Sequence, residues 1–245
     1  MTDRGKCVIL VPANYGIEPE CERGLVQLER RGYPVWRVPG FAAIDQCRNQ
    51  IATDALARGF EELFWIDADI AFEPDAVDRL RAHNLPIVAA LYPKKSMRAL
   101  ASRLFSTTKE VVLGAGGGLI EIRYAAGGFL YTRREVYEAM QRHGNLPVCN
   151  EQIGKHMVPY FMPMVVEEEE AGGRKSEVGN RFCYLAEDFS FSHRARAAGF
   201  KIFADTTIRL GHIGRYAYSW EDAGGSNQRF GTYIYRVLDA EGGDG

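Results

Sequence analysis

The sequence predicts an α/β fold in one domain, and three observations carry that expectation. Short apolar runs rich in Val, Ile and aromatic residues, namely Lys6–Val11, Val35–Val38, Phe64–Phe72 and Ile87–Leu91, have the length of buried strands. Segments with apolar residues at helical spacing separate them, so the first part of the chain alternates strand and helix, the pattern of a parallel sheet. The 245 residues, 46% hydrophobic and 25% charged, suffice for one substantial core of ordinary globular composition.

The first strand, Lys6–Val11, ends in a loop, Pro12-Ala13-Asn14-Tyr15-Gly16. Pro19–Arg31 carries Cys21, Leu25 and Leu28 on one helical face and stops at Gly32, a good C-terminal cap. Val35–Val38 is ended by Pro39-Gly40. Ile44–Arg58 is a helix with Ile44, Cys47, Ile51 and Ala55 along its apolar stripe, Arg48 and Asn49 off that stripe, and Gly59 as terminator. The run Phe64–Phe72 follows as one strand that delivers Asp67 and Asp69 at its end, before Glu73-Pro74-Asp75 starts a helix to His83. Ile87–Leu91 closes the first half at Tyr92-Pro93-Lys94-Lys95.

The middle changes character. Leu100–Phe105, Glu110–Leu113 and Leu119–Tyr124 read as short strands, with a flexible hairpin or edge turn at the glycine cluster Gly114–Gly118. That cluster lacks the Gly-Lys-Ser/Thr ending of a phosphate loop. Gly127-Gly128 turns into Phe129–Tyr131 and a helix over Arg134–Arg142. Val158–Val166 is apolar but holds two prolines, and the charged, glycine-bearing stretch over 167–180 reads as a solvated loop, with a lid over the following motif as the alternative. Arg181–Leu185 leads to Glu187-Asp188, which opens a helix to Ala198 before Gly199. Ile202–Ala204 is a strand, and Ile208–Gly214 with His212 follows. The end, Glu241–Gly245, is expected to fray.

The net charge of −2 gives no support for a general nucleic-acid or membrane-surface binder. Five scattered cysteines without a C-x-x-C pair argue for a reducing compartment rather than a disulfide framework. Met1–Lys6 is polar and Val8–Val11 is too short for a signal or membrane-spanning segment, so a cytoplasmic protein is expected.

Asp67 and Asp69 are the chemistry-bearing pair. Carboxylates at the C-terminal end of a strand lie where open α/β sheets bind ligands, and hard oxygen ligands beside a phosphate hold Mg²⁺ or Mn²⁺. The plainer reading makes them a helix cap and a solvated neighbour.

Together, Arg48-Asn49, Trp65-Ile66-Asp67-Ala68-Asp69, Ala126-Gly127-Gly128-Phe129-Leu130, Glu187-Asp188 with Arg194 and Gly199, and Asp205 through Leu210-Gly211-His212 resemble the nucleotide-sugar glycosyltransferases of GT-A fold, particularly those around family 2. The stretches span roughly Cys7 to Gly214. The resemblance implies a Rossmann-like mixed central sheet flanked by helices in a single domain, with residues 1–95 as the nucleotide-binding half, 96–220 as the acceptor-binding half and 221–245 as a tail. It also implies transfer of a sugar from a UDP- or GDP-sugar to an acceptor hydroxyl, the acceptor being a saccharide, a lipid-linked sugar or a small molecule.

Site residues follow from the same resemblance. Asp69, Asp67 directly or through the ribose, and His212 match the ligands of a Mn²⁺ or Mg²⁺ ion. Pro12, Ala13 and Tyr15 match the loop that cradles the base, and Arg48, Asn49 and Ala68 the surroundings of the diphosphate. Lys95, with Lys94, follows a strand end on the same edge, where it can help neutralise phosphate. Gly127 and Gly128 match the backbone beside the donor sugar or the acceptor. Asp188 matches the base that takes the acceptor proton, with Glu187 orienting the acceptor. Each has a bland counterpart: an ordinary βα turn, an exposed helical arginine, a solvated lysine, a tight hairpin, an acidic first helical turn, a satisfied histidine. Two other functions share these residues. One is a binding module that kept the fold without the chemistry. The other is a haloacid-dehalogenase-type phosphatase, whose aspartyl pair belongs on the first strand rather than the third.

Overall fold

The computed structural model describes residues 3–95, 97–167, 182–214, 216–223 and 232–236. In chain order its strands and α-helices are β1 (Cys7–Ala13), α1 (Pro19–Arg30), β2 (Val35–Pro39), α2 (Ile44–Ala57), β3 (Glu62–Ile66), β4 (Ile70–Ala71), α3 (Asp75–Ala82), β5 (Ile87–Ala90), β6 (Glu110–Gly114), β7 (Leu119–Ile122), β8 (Phe129–Arg133) and α4 (Arg134–Gly144). Then come β9 (Met164–Glu167), β10 (Phe182–Leu185), α5 (Glu187–Ala197), β11 (Ile202–Asp205), β12 (Gly211–Ile213), β13 (Ala217–Tyr218) and β14 (Thr232–Arg236). The helices begin where the local chemistry favours it. Pro19 opens α1 with Glu20 and Glu22 in its first turn, and Glu187 and Asp188 occupy the first turn of α5.

A seven-stranded mixed sheet runs in the order β2-β1-β3-β8-β5-β11-β7. β2, β1, β3, β5 and β11 share one direction, while β8 is inserted antiparallel between β3 and β5, and β7 lies antiparallel at the edge. The sheet is buried on both faces, which is why its strands read as apolar runs rather than alternations. Val8 and Leu10 join Cys47 and Ile51 of α2, Val136 and Met140 of α4 and Phe191 of α5 on one face. Cys7, Ile9 and Val11 join Leu25 of α1 and Val77 of α3 on the other. One consequence positions the site. The C-terminal ends of β1, β3 and β5 and the start of β8, with Gly127-Gly128 just before it, all open on the same sheet edge.

Several expected elements take a different form. The run Phe64–Phe72 is two strands in two sheets: β3 ends at Ile66, and β4 joins β12 and β13 in a separate three-stranded sheet. Apolar patterning does not register a change of sheet when both parts are buried. Leu100–Phe105 forms only isolated bridges, Pro93 with Leu100 and Arg103 with Tyr124. The glycine cluster closes no hairpin, because β6 pairs with β14 and β7 with β11, so these glycines cross between sheets. β14 therefore orders part of the segment assigned to the tail. Ile44 is 42% exposed, and the buried face of α2 includes Arg48 and Asn49 instead. The loop expected over 167–180 lies, apart from Glu167 of β9, outside the described residues, as does the end expected to fray. Among the described residues no helix is long and apolar enough to cross a membrane.

Candidate functional site

The turn Asp67-Ala68-Asp69 joins the large sheet to the small one, and backbone hydrogen bonds clamp it from three directions. Asp67 N–H donates to the Gly128 carbonyl (3.0 Å), Glu18 N–H to Ala68 (2.8 Å) and Ile213 N–H to Asp69 (2.7 Å), while Ile70 N–H closes the turn on Asp67 (3.0 Å). The loop after β1, the start of β8 and β12 thus meet here.

The two carboxylates diverge. Asp67 Oδ1 accepts from Arg48 Nη2 at 2.6 Å, whereas Asp69 Oδ2 accepts from Lys95 Nζ at 2.5 Å. Among the described residues no three His, Cys, Asp or Glu side chains are grouped to hold a metal ion. Of the expected ligands, Asp69 and His212 come together, while Asp67 is turned to the Arg48 guanidinium.

That pair has the character of a ligand set. His212 sits opposite Ile70 in the β12–β4 pairing, with Nδ1 2.9 Å from the Pro93 carbonyl. A carbonyl only accepts, so Nδ1 carries the proton and a neutral ring presents a lone pair at Nε2. Nε2 lies 3.7 Å from Asp69 Oδ1, a buried oxygen with no hydrogen-bond partner among the described residues. An orphaned carboxylate oxygen beside an imidazole lone pair fits a divalent cation. Asp69 and His212 would be the residues to hold such an ion, and one N with one O donor suits Mn²⁺. Tyr92 packs edge-on against His212 with ring centroids 5.1 Å apart, fixing the imidazole further.

Arg48 is the hub between this turn and α5. It is 2% exposed, with its guanidinium carbon 5.3 Å from the Trp65 ring centroid and 6.0 Å from that of Phe161. Beyond Asp67, its Nη1 reaches the Gly127 carbonyl at 3.5 Å and its Nε lies 3.6 Å from Glu187 Oε1. Asp188 Oδ2 accepts from Gly127 N–H at 3.3 Å and Oδ1 from Phe189 N–H at 2.7 Å. Burial and the neighbouring Glu187 charge push the Asp188 carboxyl up to about 6, against the opposing pull of Arg48 and the two N–H donors. A carboxylate with this proton affinity is ionised at neutral pH yet basic enough to take a proton.

Gly127-Gly128 leave no room for side chains. A Cβ on Gly127 would lie 2.8 Å from Arg48 Nη2, and one on Gly128 would lie 2.4 Å from Tyr92 Oη and 3.0 Å from Asp67 Oδ2. Gly128 N–H donates to that same Tyr92 hydroxyl at 2.9 Å. Gly128→Ala is therefore expected to destabilise the fold by about 1–3 kcal/mol through overpacking, read as a lowered midpoint in denaturant. An unchanged midpoint would mean that the strap at Tyr92 yields.

Other expected site residues have other surroundings. Pro12 and Ala13 belong to β1 rather than to the loop, paired with Val38 and Pro39. Tyr15 is 97% exposed. Asn49 Oδ1 accepts from Phe161 N–H at 2.6 Å and holds that aromatic against α2. Sequence reasoning missed Tyr92 as a site residue and saw it only as the end of a strand. An aromatic directly before a Pro-Lys-Lys turn was the available signal. A cleft of about 620 Å³ opens between α1 and the β12–β13 hairpin, lined by Arg23, Phe72, Glu73, Arg209 and Tyr218. It includes none of the carboxylates above.

No protein-family model matches the chain, and no curated protein matches it in sequence. Among solved structures it is similar to A197 from STIV, with a TM-score of 0.54 and 13% identity over 95% of this chain and 94% of that one. The two share a fold. Lower similarities relate it to a glycosyltransferase involved in the glycosylation of the major capsid of PBCV-1 (TM-score 0.30, 10% identity, 57% of this chain and 65% of that one). S. aureus TarS residues 1–349 give a TM-score of 0.36 at 12% identity, over 87% of this chain and 59% of that one. The seven-stranded mixed sheet flanked by helices in one domain is consistent with a GT-A-like fold.

Proposed function

We propose that the protein is a divalent-metal-dependent glycosyltransferase that moves a sugar from a UDP- or GDP-sugar to an acceptor hydroxyl. One observation carries the reading. The Asp67-Ala68-Asp69 turn, which sets Asp69 Oδ1 beside His212 Nε2, is bound to Gly128 through Asp67 N–H, and Asp188 accepts from the adjacent Gly127 N–H, so a leaving-group site and a base would meet at one glycine pair.

Asp69 and His212 would hold Mn²⁺ or Mg²⁺. Such an ion supplies positive charge to the departing diphosphate without a proton donor. Asp67, fixed by Arg48, orients the donor through a ribose or sugar hydroxyl. The Gly127-Gly128 backbone, packed on Arg48 and Tyr92, would line the place of the sugar. Tyr15, exposed in the loop that Glu18 ties to Ala68, is free to stack on the base. Asp188 takes the acceptor proton as the hydroxyl oxygen attacks the anomeric carbon in an inverting displacement, and Glu187 orients the acceptor.

The test is a panel of UDP- and GDP-sugars with Mn²⁺, read by thermal shift and by slow donor hydrolysis. One nucleotide sugar should raise the melting temperature only with metal present, and Asp69→Ala should abolish the shift. If no nucleoside diphosphate stabilises the protein, with or without metal, the reading falls.

A further inference from the structure

Lys95 deserves a role of its own at the Asp69–His212 pair. Its ammonium lies 2.5 Å from Asp69 Oδ2, with both side chains about one-third exposed, at 34% and 33%. Among the described residues Asp69 Oδ1, on the other side of the same carboxylate, has no hydrogen-bond partner. The strap that delivers Lys95 also touches the second ligand, because Pro93, two residues earlier, accepts the His212 Nδ1–H. The lysine stem lies along the backbone at Gly214, where a Cβ would come within 3.3 Å of Lys95 Cδ. One carboxylate therefore holds a resident cation at one oxygen and offers the other to a second cation.

Two positive charges on one carboxylate repel. Only two protein groups converge for a divalent ion among the described residues, so the ion's hold on the free protein is weak from the start. We propose that Lys95 is a counter-charge that couples the divalent cation to the diphosphate: its ammonium occupies Asp69 until a diphosphate is present to receive it. Metal binding to the free protein displaces Lys95 from Asp69 and leaves its charge facing the ion. A diphosphate accepts the ammonium and gives the ion further oxygen ligands, so each makes the other bind more tightly. Linkage makes that factor the same in both directions. The proposal rests on the nucleotide-sugar reading above and goes beyond it, because it makes order and interdependence of binding a property of one lysine.

The experiment compares the wild type with Lys95→Met, which keeps the stem and removes the charge, and with Lys95→Arg, which keeps the charge. Mn²⁺ affinity is read from the free-ion EPR signal, without and with UDP, and UDP affinity by calorimetry at saturating Mn²⁺. For Lys95→Met we expect Mn²⁺ alone to bind about 5- to 10-fold tighter and UDP to bind weaker by a similar factor, with Lys95→Arg close to wild type. Equal Mn²⁺ affinity in wild type and Lys95→Met, with UDP still bound, overturns the counter-charge alone. Absence of both Mn²⁺ and UDP binding from every variant overturns the nucleotide-sugar reading as well. Melting temperatures within about 2 °C of each other verify that the variants fold, as expected for a partly exposed side chain.

Discussion

Asp188→Asn is expected to lower kcat by about 10²–10⁴ while nucleotide-sugar and Mn²⁺ affinity stay near wild type. The amide keeps the shape of the side chain and can still accept the 2.7 Å bond from Phe189 N–H, but it takes no proton from an acceptor. The pH profile follows from the same environment. With Asp188 pushed up to about 6, the wild-type rate should climb roughly tenfold per pH unit below that point and level off above it.

Stability should move the opposite way. The folded-state value lies above the unfolded one near 3.8, so the folded protein holds the proton more tightly. Ionising Asp188 therefore destabilises the fold as pH rises from about 4 to 6, and the full penalty remains at neutral pH. Removing that charge in Asp188→Asn should stabilise the protein at pH 7 by on the order of 1–3 kcal/mol, less whatever is lost in the weaker bond to Gly127. Calorimetric melting at pH 4.5 and 7.5, beside single-turnover rates, checks both halves. A variant that turns over at wild-type speed would remove Asp188 from the chemistry. One that melts lower at pH 7.5 would remove the strained carboxylate.

Arg48→Ala is expected to produce the largest loss of stability. Three carboxylates, Asp67, Glu187 and Asp188, act on this guanidinium, which is wholly enclosed by Trp65, Phe161 and the glycine turn. Truncation leaves Asp67 unpaired beside two like charges and opens a cavity under the site. Breaking a buried pair in this way costs about 3–5 kcal/mol. Asp67, 30% exposed, recovers part of that from water, so about 3 kcal/mol is expected, or roughly 6–12 °C of melting temperature for a domain of this size.

The same substitution bears on the base. Arg48 lowers the proton affinity of Asp188, so its removal should shift the inflection of the rate profile upward from about 6. Arg48→Lys should recover part of the stability and little of the geometry, because one ammonium cannot replace the guanidinium fork across Asp67, Gly127 and Glu187. Unfolding midpoints and pH–rate profiles of both variants decide the matter. An unchanged midpoint for Arg48→Ala would show that the network contributes nothing net.

The elements were more legible than their partnerships. β1, β2 and β5 and the five α-helices among the described residues fall within a few residues of where apolar spacing and the terminators Gly32, Gly59 and Gly199 put them, because a buried face and a helix end are written locally. The break at Asp67–Asp69 was not legible, since β3 and β4 are both apolar and only their partners, β8 and β12, distinguish them. Arg48 was legible as a residue near the D-x-D turn but not as a buried one. Helical spacing sets it off the apolar stripe, and what encloses it is Phe161 and α5, more than a hundred residues away in sequence. Asn49, next to it, was read with Arg48 as one motif, yet its side chain is committed to the Phe161 backbone.

By itself, the sequence determined an α/β domain, the carboxylates of its D-x-D turn, and the histidine and acidic pair that share its edge. Tertiary structure alone decided how these groups divide. Asp67 goes to Arg48, Asp69 to Lys95 and His212, and Asp188 to the Gly127 backbone. The reason is geometric: spacing along the chain sets which side chains share a face. Where two faces meet is set by the pairing of β8 between β3 and β5 and of β12 with β4, contacts between segments too distant for any local pattern to encode.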